Sequence, residues 1–457
     1  MTAGVASAAR GLVPHAVTDP GFIPRERYTA PGFFALEREW LWPRVWQMAC
    51  RLEEIPEVGD FVEYTICDQS VLVVRQADAS VKAFFNVCRH RATQLAVGRG
   101  CLPDREIACP FHGWRWDIDG TNSYVYGRAG FDESHLTASD LALRECRVGV
   151  WGGCAFVNMD PDAPPLEDVL APIGTLLDPL GVDRMRVRWW KSVLLDANWK
   201  LAQEAFMEGL HVMQTHPQLT LGAGASYDPD DQAYFVHANG HSHFQNTGGR
   251  PRSAEPGPAE RSDKSGGSVL ERIIESSRLL WEGLDAMTLE RDYRVIEGLR
   301  ERPVAGSPGA ALVRAIYEHD AEAGIPMPAP DPAAIGRWGG MFFLFPNYFV
   351  LPQYGNALVY RSRPHGLDAE RCLFELWSIS LFPEGEEPAR PEPLGPFRPD
   401  DTEAWPPIPL QDFSNIERQQ RGLHSRACRG MRLSGRYEGG IANMHQELDR
   451  YLVAAHT

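Results

Sequence analysis

Four potential metal ligands arrive as two short pairs, Cys88-Arg89-His90 and Cys109-Pro110-Phe111-His112, with eighteen residues between them. No other feature constrains the chain as strongly, because ligands so close in sequence must be held by tight loops around an inorganic centre. Each pair supplies one thiolate and one imidazole. A Cys2His2 zinc site uses the same ligand types, but a zinc finger usually keeps its two Cys in one half and its two His in the other. The mixed arrangement suits a [2Fe–2S] cluster whose irons differ: two thiolates hold one iron and two imidazoles the other, which raises the reduction potential above that of an all-cysteine cluster. Gly98, Gly100 and Gly113 permit tight turns nearby, and Trp114 and Trp116 are placed to shield such a centre from water. Zinc remains the alternative at this point. A chain built around the cluster accepts and passes on single electrons.

The stretch Cys88-Arg89-His90-Arg91 followed by Cys109-Pro110-Phe111-His112-Gly113-Trp114 resembles the signature of the large (alpha) subunit of Rieske non-haem iron ring-hydroxylating oxygenases, the family of naphthalene and biphenyl dioxygenases. Cys88, His90, Cys109 and His112 are then the cluster ligands. Since a Rieske protein need not be an oxygenase, a second metal site has to be found independently.

Residues 198–217 supply one. The run Asn198-Trp199-Lys200-Leu201-Ala202-Gln203-Glu204 and onward to Thr215 reads as helix, with His211 and His216 near its end. Two residues five apart on an ideal helix point about 140° apart, so a straight helix would not aim both rings at one metal. Pro217 pushes His216 out of the α region, ending the helix near Thr215 and letting His216 turn back. Two histidines and a carboxylate with open positions form the facial triad expected of a non-haem Fe(II) that activates oxygen. Asp412, in Gln411-Asp412-Phe413-Ser414-Asn415-Ile416-Glu417, resembles the family segment carrying the third ligand. As a bare pattern it reads equally as the N-cap of a helix starting at residue 413, and Glu204 and Glu208 are rival carboxylates. The resemblance assigns Glu208 another role, bridging a Rieske histidine of one subunit to the iron-ligand histidine of its neighbour. Relatives usually have aspartate there, and this chain also departs from them at Ala205 and Leu210. His237, His241 and His243 read as pocket or surface histidines sharing one face of a strand rather than as a third metal site.

Composition bounds the rest. With 457 residues the chain holds two domains, or one large domain with an inserted module. The seven remaining cysteines follow no pairing pattern and read as reduced thiols of a cytoplasmic protein. No signal peptide and no membrane-spanning run is expected. A net charge of −16 argues against nucleic acid and anionic membranes as partners. Locally, Arg89, Arg91, Arg99, Arg105 and Arg115 outnumber Asp104 and Glu106. They form either a positive rim that steers an acidic ferredoxin or a solvated face with internal pairs.

Residues 44–164, with short β-rich runs between turn residues, are expected to form an all-β Rieske domain inserted before an α+β catalytic domain comprising 1–43 and 165–457. Alternating runs at 185–196, 231–243, 341–353, 356–363 and 371–382 predict a large antiparallel sheet. Helices are expected at 33–43, 197–215, 268–300, 413–425 and 440–454. The family resemblance implies that the sheet wraps around helices. Segments 246–267, 302–308, 324–334 and 383–408 read as long core-poor loops. The expectation for the whole is a terminal oxygenase component, a dioxygenase by first reading, working with a ferredoxin or NAD(P)H-dependent reductase, O2 and a hydrophobic aromatic or polycyclic substrate. A head-to-tail homotrimer, with a small beta subunit as a further component, would bring cluster and iron together across subunits. A monooxygenase or oxidative demethylase uses the same parts, and a pure Rieske electron carrier would lack the second site.

Overall fold

In the computed structural model, residues 13–222, 229–246, 268–302, 306–329 and 331–453 are described. Contacts divide the chain into two compact units, Glu37–Val169 and the pair of segments Met1–Leu36 and Leu170–Thr457.

The Glu37–Val169 unit is β-rich. Its antiparallel seven-stranded sheet runs in the order Gln47–Arg51, Cys154–Asn158, Glu145–Trp151, Val81–Phe85, Gln69–Arg75, Asp60–Ile66, Arg99–Cys101. β-branched and aromatic residues drive these pairings, as in Phe61↔Val74, Val62↔Val73 and Tyr64↔Val71. Val71, Leu72, Val73 and Val74 are all fully buried, so this strand is covered on both faces. A smaller sheet pairs Glu106–Ala108, Arg115–Asp117 and Asn122–Tyr124. Cys88 and Cys109 belong to a buried cluster with Leu72, Phe84, Ile107, Trp114 and Trp116, which places the first site against a solid apolar floor.

The larger unit is α+β. Its eight-stranded sheet has the order Gln232–Val236, Ser242–Asn246, Met341–Leu344, Tyr348–Gln353, Asn356–His365, Asp368–Ser380, Arg186–Leu195, Leu394–Phe397. Every pairing is antiparallel except the last, which is parallel. The charge pair Arg361 Nη2–Glu375 Oε2, at 2.7 Å, crosses two central strands and is buried at both ends. Burial alone would raise Glu375, but Arg361 and Arg363 outweigh it and hold the carboxyl below its ordinary range.

Several expectations change on meeting the structure. The helix expected over 197–215 is broken: Trp199–Glu204 and Val212–Thr215 are helical and 205–211 is not. The Glu208 carboxylate accepts the backbone N–H groups of Leu210 and His211, competing with helical hydrogen bonding. The 231–243 run is a hairpin rather than one strand, because Asn239 (φ 58°) and Gly240 (φ 77°) turn the chain through the left-handed region. Gly240 is required there twice over, since a Cβ would come within 2.8 Å of Glu447 and Phe345 side-chain atoms. Helix Pro308–Glu322 was not foreseen, although Ser307 caps it by accepting the Ala310 N–H. Strand Leu394–Phe397 lies inside a segment read as loop. The expected loop 246–267 lies outside the described residues beyond Asn246, as do 303–305 of the next.

Candidate functional site

The two Cys–His loops are built alike. The Cys88 N–H donates to the Thr93 carbonyl at 2.8 Å, and the Ala92 N–H donates to the Cys88 carbonyl at 3.1 Å. In the second loop the Cys109 N–H donates to Trp114 O at 2.8 Å and Gly113 N–H to Cys109 O at 3.0 Å. Ala92 (φ 59°) and Gly113 (φ 72°) occupy the same left-handed position in the two loops. Each loop therefore closes four to five residues after its cysteine, with a histidine inside the closed turn.

The rings of His90 and His112 lie 4.7 Å apart, and His90 stacks on Trp114 at 4.8 Å and 9°. His90 Nδ1 is buried without a hydrogen-bond partner, an orphaned acceptor of the kind a metal completes. Burial, with His112 and Arg91 nearby, lowers the His90 pKa and favours the neutral ring. Burial also raises the Cys88 thiol. At Cys109 burial acts the same way, but the N–H groups of His112 and Phe111 and the side chains of Cys88 and Thr93 outweigh it and leave the thiol below its usual value. The two thiols lie within hydrogen-bonding reach of each other and the two imidazoles sit side by side, the grouping that two thiolates on one iron and two imidazoles on the other require.

Of the five arginines, Arg99 pairs with Glu54 and Arg115 with Glu106. Arg89 donates to the Asp140 carbonyl and Arg91 lies over Phe111. Phe111 itself is 60% exposed beside the second loop.

The second site draws on two distant segments. His211, His216 and Asp412 bring their ligand atoms within 4.8 Å of one another. His216 Nε2 is 3.0 Å and His211 Nε2 is 3.9 Å from Asp412 Oδ1. Ligands roughly 2.1 Å from a metal and at right angles are roughly 3 Å apart, so the set has the right size. The outer ring nitrogens are already used: His211 Nδ1 lies 2.8 Å from Glu208 Oε1, and His216 Nδ1 2.8 Å from Gln411 Oε1. Both acceptors demand N–H at Nδ1, which leaves the Nε2 lone pairs facing Asp412. Burial lowers His211, but the hydrogen bond and charge of Glu208, with Asp412, outweigh it and raise its pKa. Asp412 lies in the middle of helix Pro407–Leu423 and is buried, not an N-cap as its pattern also allowed. Pro407 opens that helix early because the first turn needs no N–H from it.

Glu204 points elsewhere. Its carboxylate accepts from Tyr28 at 2.9 Å and meets His445 Nε2 at 2.8 Å, while Arg27 Nε donates to His445 Nδ1 at 3.0 Å and Arg27 pairs with Asp449 at 2.6 Å. His237 Nε2 and His243 Nδ1 are 2.8 Å apart across the hairpin, and His241 Nδ1 accepts the Phe345 N–H at 2.8 Å.

His211, His216 and Asp412 stand in the wall of a cavity of about 560 Å³ whose other walls include Phe206, Val212, Leu284, Leu358 and Tyr360. Among the described lining residues none is Lys or Arg. Sequence reasoning missed Gln411, Phe206 and Tyr360; only the adjacency of Gln411 to Asp412 could have marked it.

Comparison with known proteins gives the family. Residues 182–454 match the model of the ring hydroxylating alpha subunit (catalytic domain), and residues 45–127 match the Rieske [2Fe-2S] domain. These two domains imply a Rieske cluster and a mononuclear iron. The alpha subunit of 2-aminobenzenesulfonate 2,3-dioxygenase from Alcaligenes sp is 27% identical over 315 residues, 67% of this chain and 77% of that protein. The glycine betaine monooxygenase oxygenase subunit of Chromohalobacter salexigens is 31% identical over 210 residues, 46% of each chain. The match thus spans about half the length of such monooxygenase subunits. The structure of naphthalene 1,2-dioxygenase from Rhodococcus sp. bound to indole superposes with a TM-score of 0.62 at 18% identity, covering 99% of both chains. That likeness establishes the fold. No helix among the described residues is long and apolar enough to cross a membrane.

Proposed function

The chain belongs to the family of ring hydroxylating alpha subunits and carries a Rieske [2Fe-2S] domain, and from that membership we propose that it is the terminal oxygenase component of a multicomponent system in the cytoplasm. It takes electrons one at a time from a ferredoxin or an NAD(P)H-dependent reductase and hydroxylates, by cis-dihydroxylation, a hydrophobic aromatic or polycyclic substrate. The observation carrying this reading is the aim of His211 Nε2, His216 Nε2 and the Asp412 carboxylate at one point in the wall of an apolar cavity. We take 44–164 as the electron-receiving domain and 1–43 with 165–457 as the catalytic one.

Cys88 and Cys109 would hold one cluster iron and His90 and His112 the other. His211, His216 and Asp412 would hold the mononuclear iron, whose chemistry when bound is the activation of O2. Glu208 and Gln411 fix the ring orientations, and Phe206 and Tyr360, packed against each other with centroids 4.5 Å apart, form part of the apolar wall that a substrate would meet. The absence of Lys and Arg among the described lining residues suits a neutral substrate better than a carboxylate or sulfonate.

Glu208 also bridges to a cluster histidine of the neighbouring subunit in a head-to-tail trimer. Glu208→Gln then keeps both metals but slows oxidation of the reduced cluster at least about tenfold in stopped flow with substrate and O2. An unchanged rate moves the electrons to another route. The mass of the assembly in solution separates a homotrimer from one joined by a beta subunit. The test of the reaction is turnover of naphthalene, biphenyl and phenanthrene with a ferredoxin–reductase pair under labelled O2. Both atoms of one O2 in a cis-diol are expected, and one atom makes the chain a monooxygenase instead. No incorporation by fully iron-loaded protein overturns the reading for these hydrocarbons.

A further inference from the structure

Ser276 and Leu280, one turn apart on helix Val269–Leu284, line both the 560 Å³ cavity and a second cavity of about 340 Å³. The second cavity is bounded on another side by the turn between strands Tyr348–Gln353 and Asn356–His365. Tyr354 (φ 43°) and Gly355 (φ 77°) form a two-residue turn with both residues in the left-handed region. That conformation is ordinary for glycine and strained for tyrosine, and strain of this kind collects at ligand sites.

The turn brings an unsatisfied oxygen to the cavity. Gln353 Oε1 is buried and has no hydrogen-bond partner. Tyr354 and Ser276, both in the lining, add hydroxyl groups to it. Arg272, also in the lining, is engaged in an interaction of its own. The amide oxygen can only accept, whereas the two hydroxyls can donate or accept. An alcohol fits this set, donating to Gln353 and accepting from Tyr354. A carboxylate would put its lone pairs against those of the Gln353 oxygen.

We propose that the second cavity is a subsite for a hydroxyl group at the far end of an elongated, neutral, apolar substrate whose body occupies the larger cavity. This rests on the reading of the larger cavity as the substrate pocket. It makes Gln353 and Tyr354 specificity-determining residues, remote from the metal ligands in sequence.

The experiment compares the dissociation constants of 5α-androstane and 5α-androstan-3β-ol, fused-ring probes differing by one hydroxyl, on the intact metal-loaded protein. The alcohol is expected to bind about tenfold more tightly, and Gln353→Met is expected to bring that ratio close to one. Tyr354→Phe, which keeps the ring and the turn, is expected to lower it as well. A ratio near one in the wild type, a ratio unchanged in both variants, or no binding of either probe overturns the subsite. The function proposed above is scored separately, by label incorporation into the planar hydrocarbons, so that either idea can fail while the other stands.

Discussion

The two candidate metal sites are built on opposite principles. Loops 88–93 and 109–114 close on themselves through hydrogen bonds four and five residues long, with a left-handed residue at the same place in each. Their backbone is closed by bonds within a few residues of each cysteine. The second set joins His211 and His216 to Asp412, almost two hundred residues later, and each imidazole is oriented by a side chain hydrogen-bonded to its outer nitrogen. Local closure makes a site robust to its surroundings. A site assembled across the fold depends on second partners, so it is the more easily tuned and the more easily broken.

The largest effect should come from breaking the local site. Cys109→Ser removes a buried thiol that no neighbour replaces, and the visible and paramagnetic signals of the reduced cluster should vanish while mononuclear iron stays bound. Survival of both signals unchanged would separate these loops from the cluster altogether.

Gln411→Leu sharpens the comparison at the long-range site. His216 loses the acceptor that fixes its tautomer, and iron affinity should fall roughly 10–100-fold with cluster content unchanged. A metal titration of the variant checks this, and wild-type affinity would mean that packing alone orients the ring.

A smaller effect is expected in the buried network behind the second site. Burial pushes Glu204 up to about 8, against the lowering influence of Tyr28, Lys200 and Arg27, with Glu438 adding to the rise. The folded chain keeps a proton that the unfolded chain releases above its ordinary value of 4.5. Stability from this group is therefore present at low pH and lost as pH rises towards about 8. His445, held well below its usual value by burial, Arg27 and Lys200, acts oppositely and costs stability on the acid side. Glu204→Gln should flatten the fall in melting temperature between about pH 5 and 8 and leave the acid limb. An identical slope in both proteins would remove Glu204 as its source.

The same contrast explains what could be read from the sequence. The cluster loops were legible because ligand type, spacing and turn-forming residues all lie within a few positions. His211 and His216 were legible too, Pro217 supplying the reason they converge, but the break at 205–211 was not. It is imposed by Glu208 accepting backbone N–H groups, which no helical periodicity records. Asp412 depended on family resemblance, since its helix begins at Pro407 and hides the residue in mid-helix. The hairpin at 237–243 was lost because alternation continues through the Asn239-Gly240 turn. Gln411, Phe206 and Tyr360 needed coordinates, since only the fold sets them beside His216 and in the cavity wall.

The central claim is that one chain holds two independent iron sites, and the iron content of Asp412→Ala tests it most directly. The account predicts that wild-type protein holds three irons per chain, two in the cluster and one mononuclear. In Asp412→Ala, two irons and an unaltered cluster signal should remain while the third iron and product formation fall to background. Full iron content with normal turnover in that variant, or loss of all iron together, would contradict it.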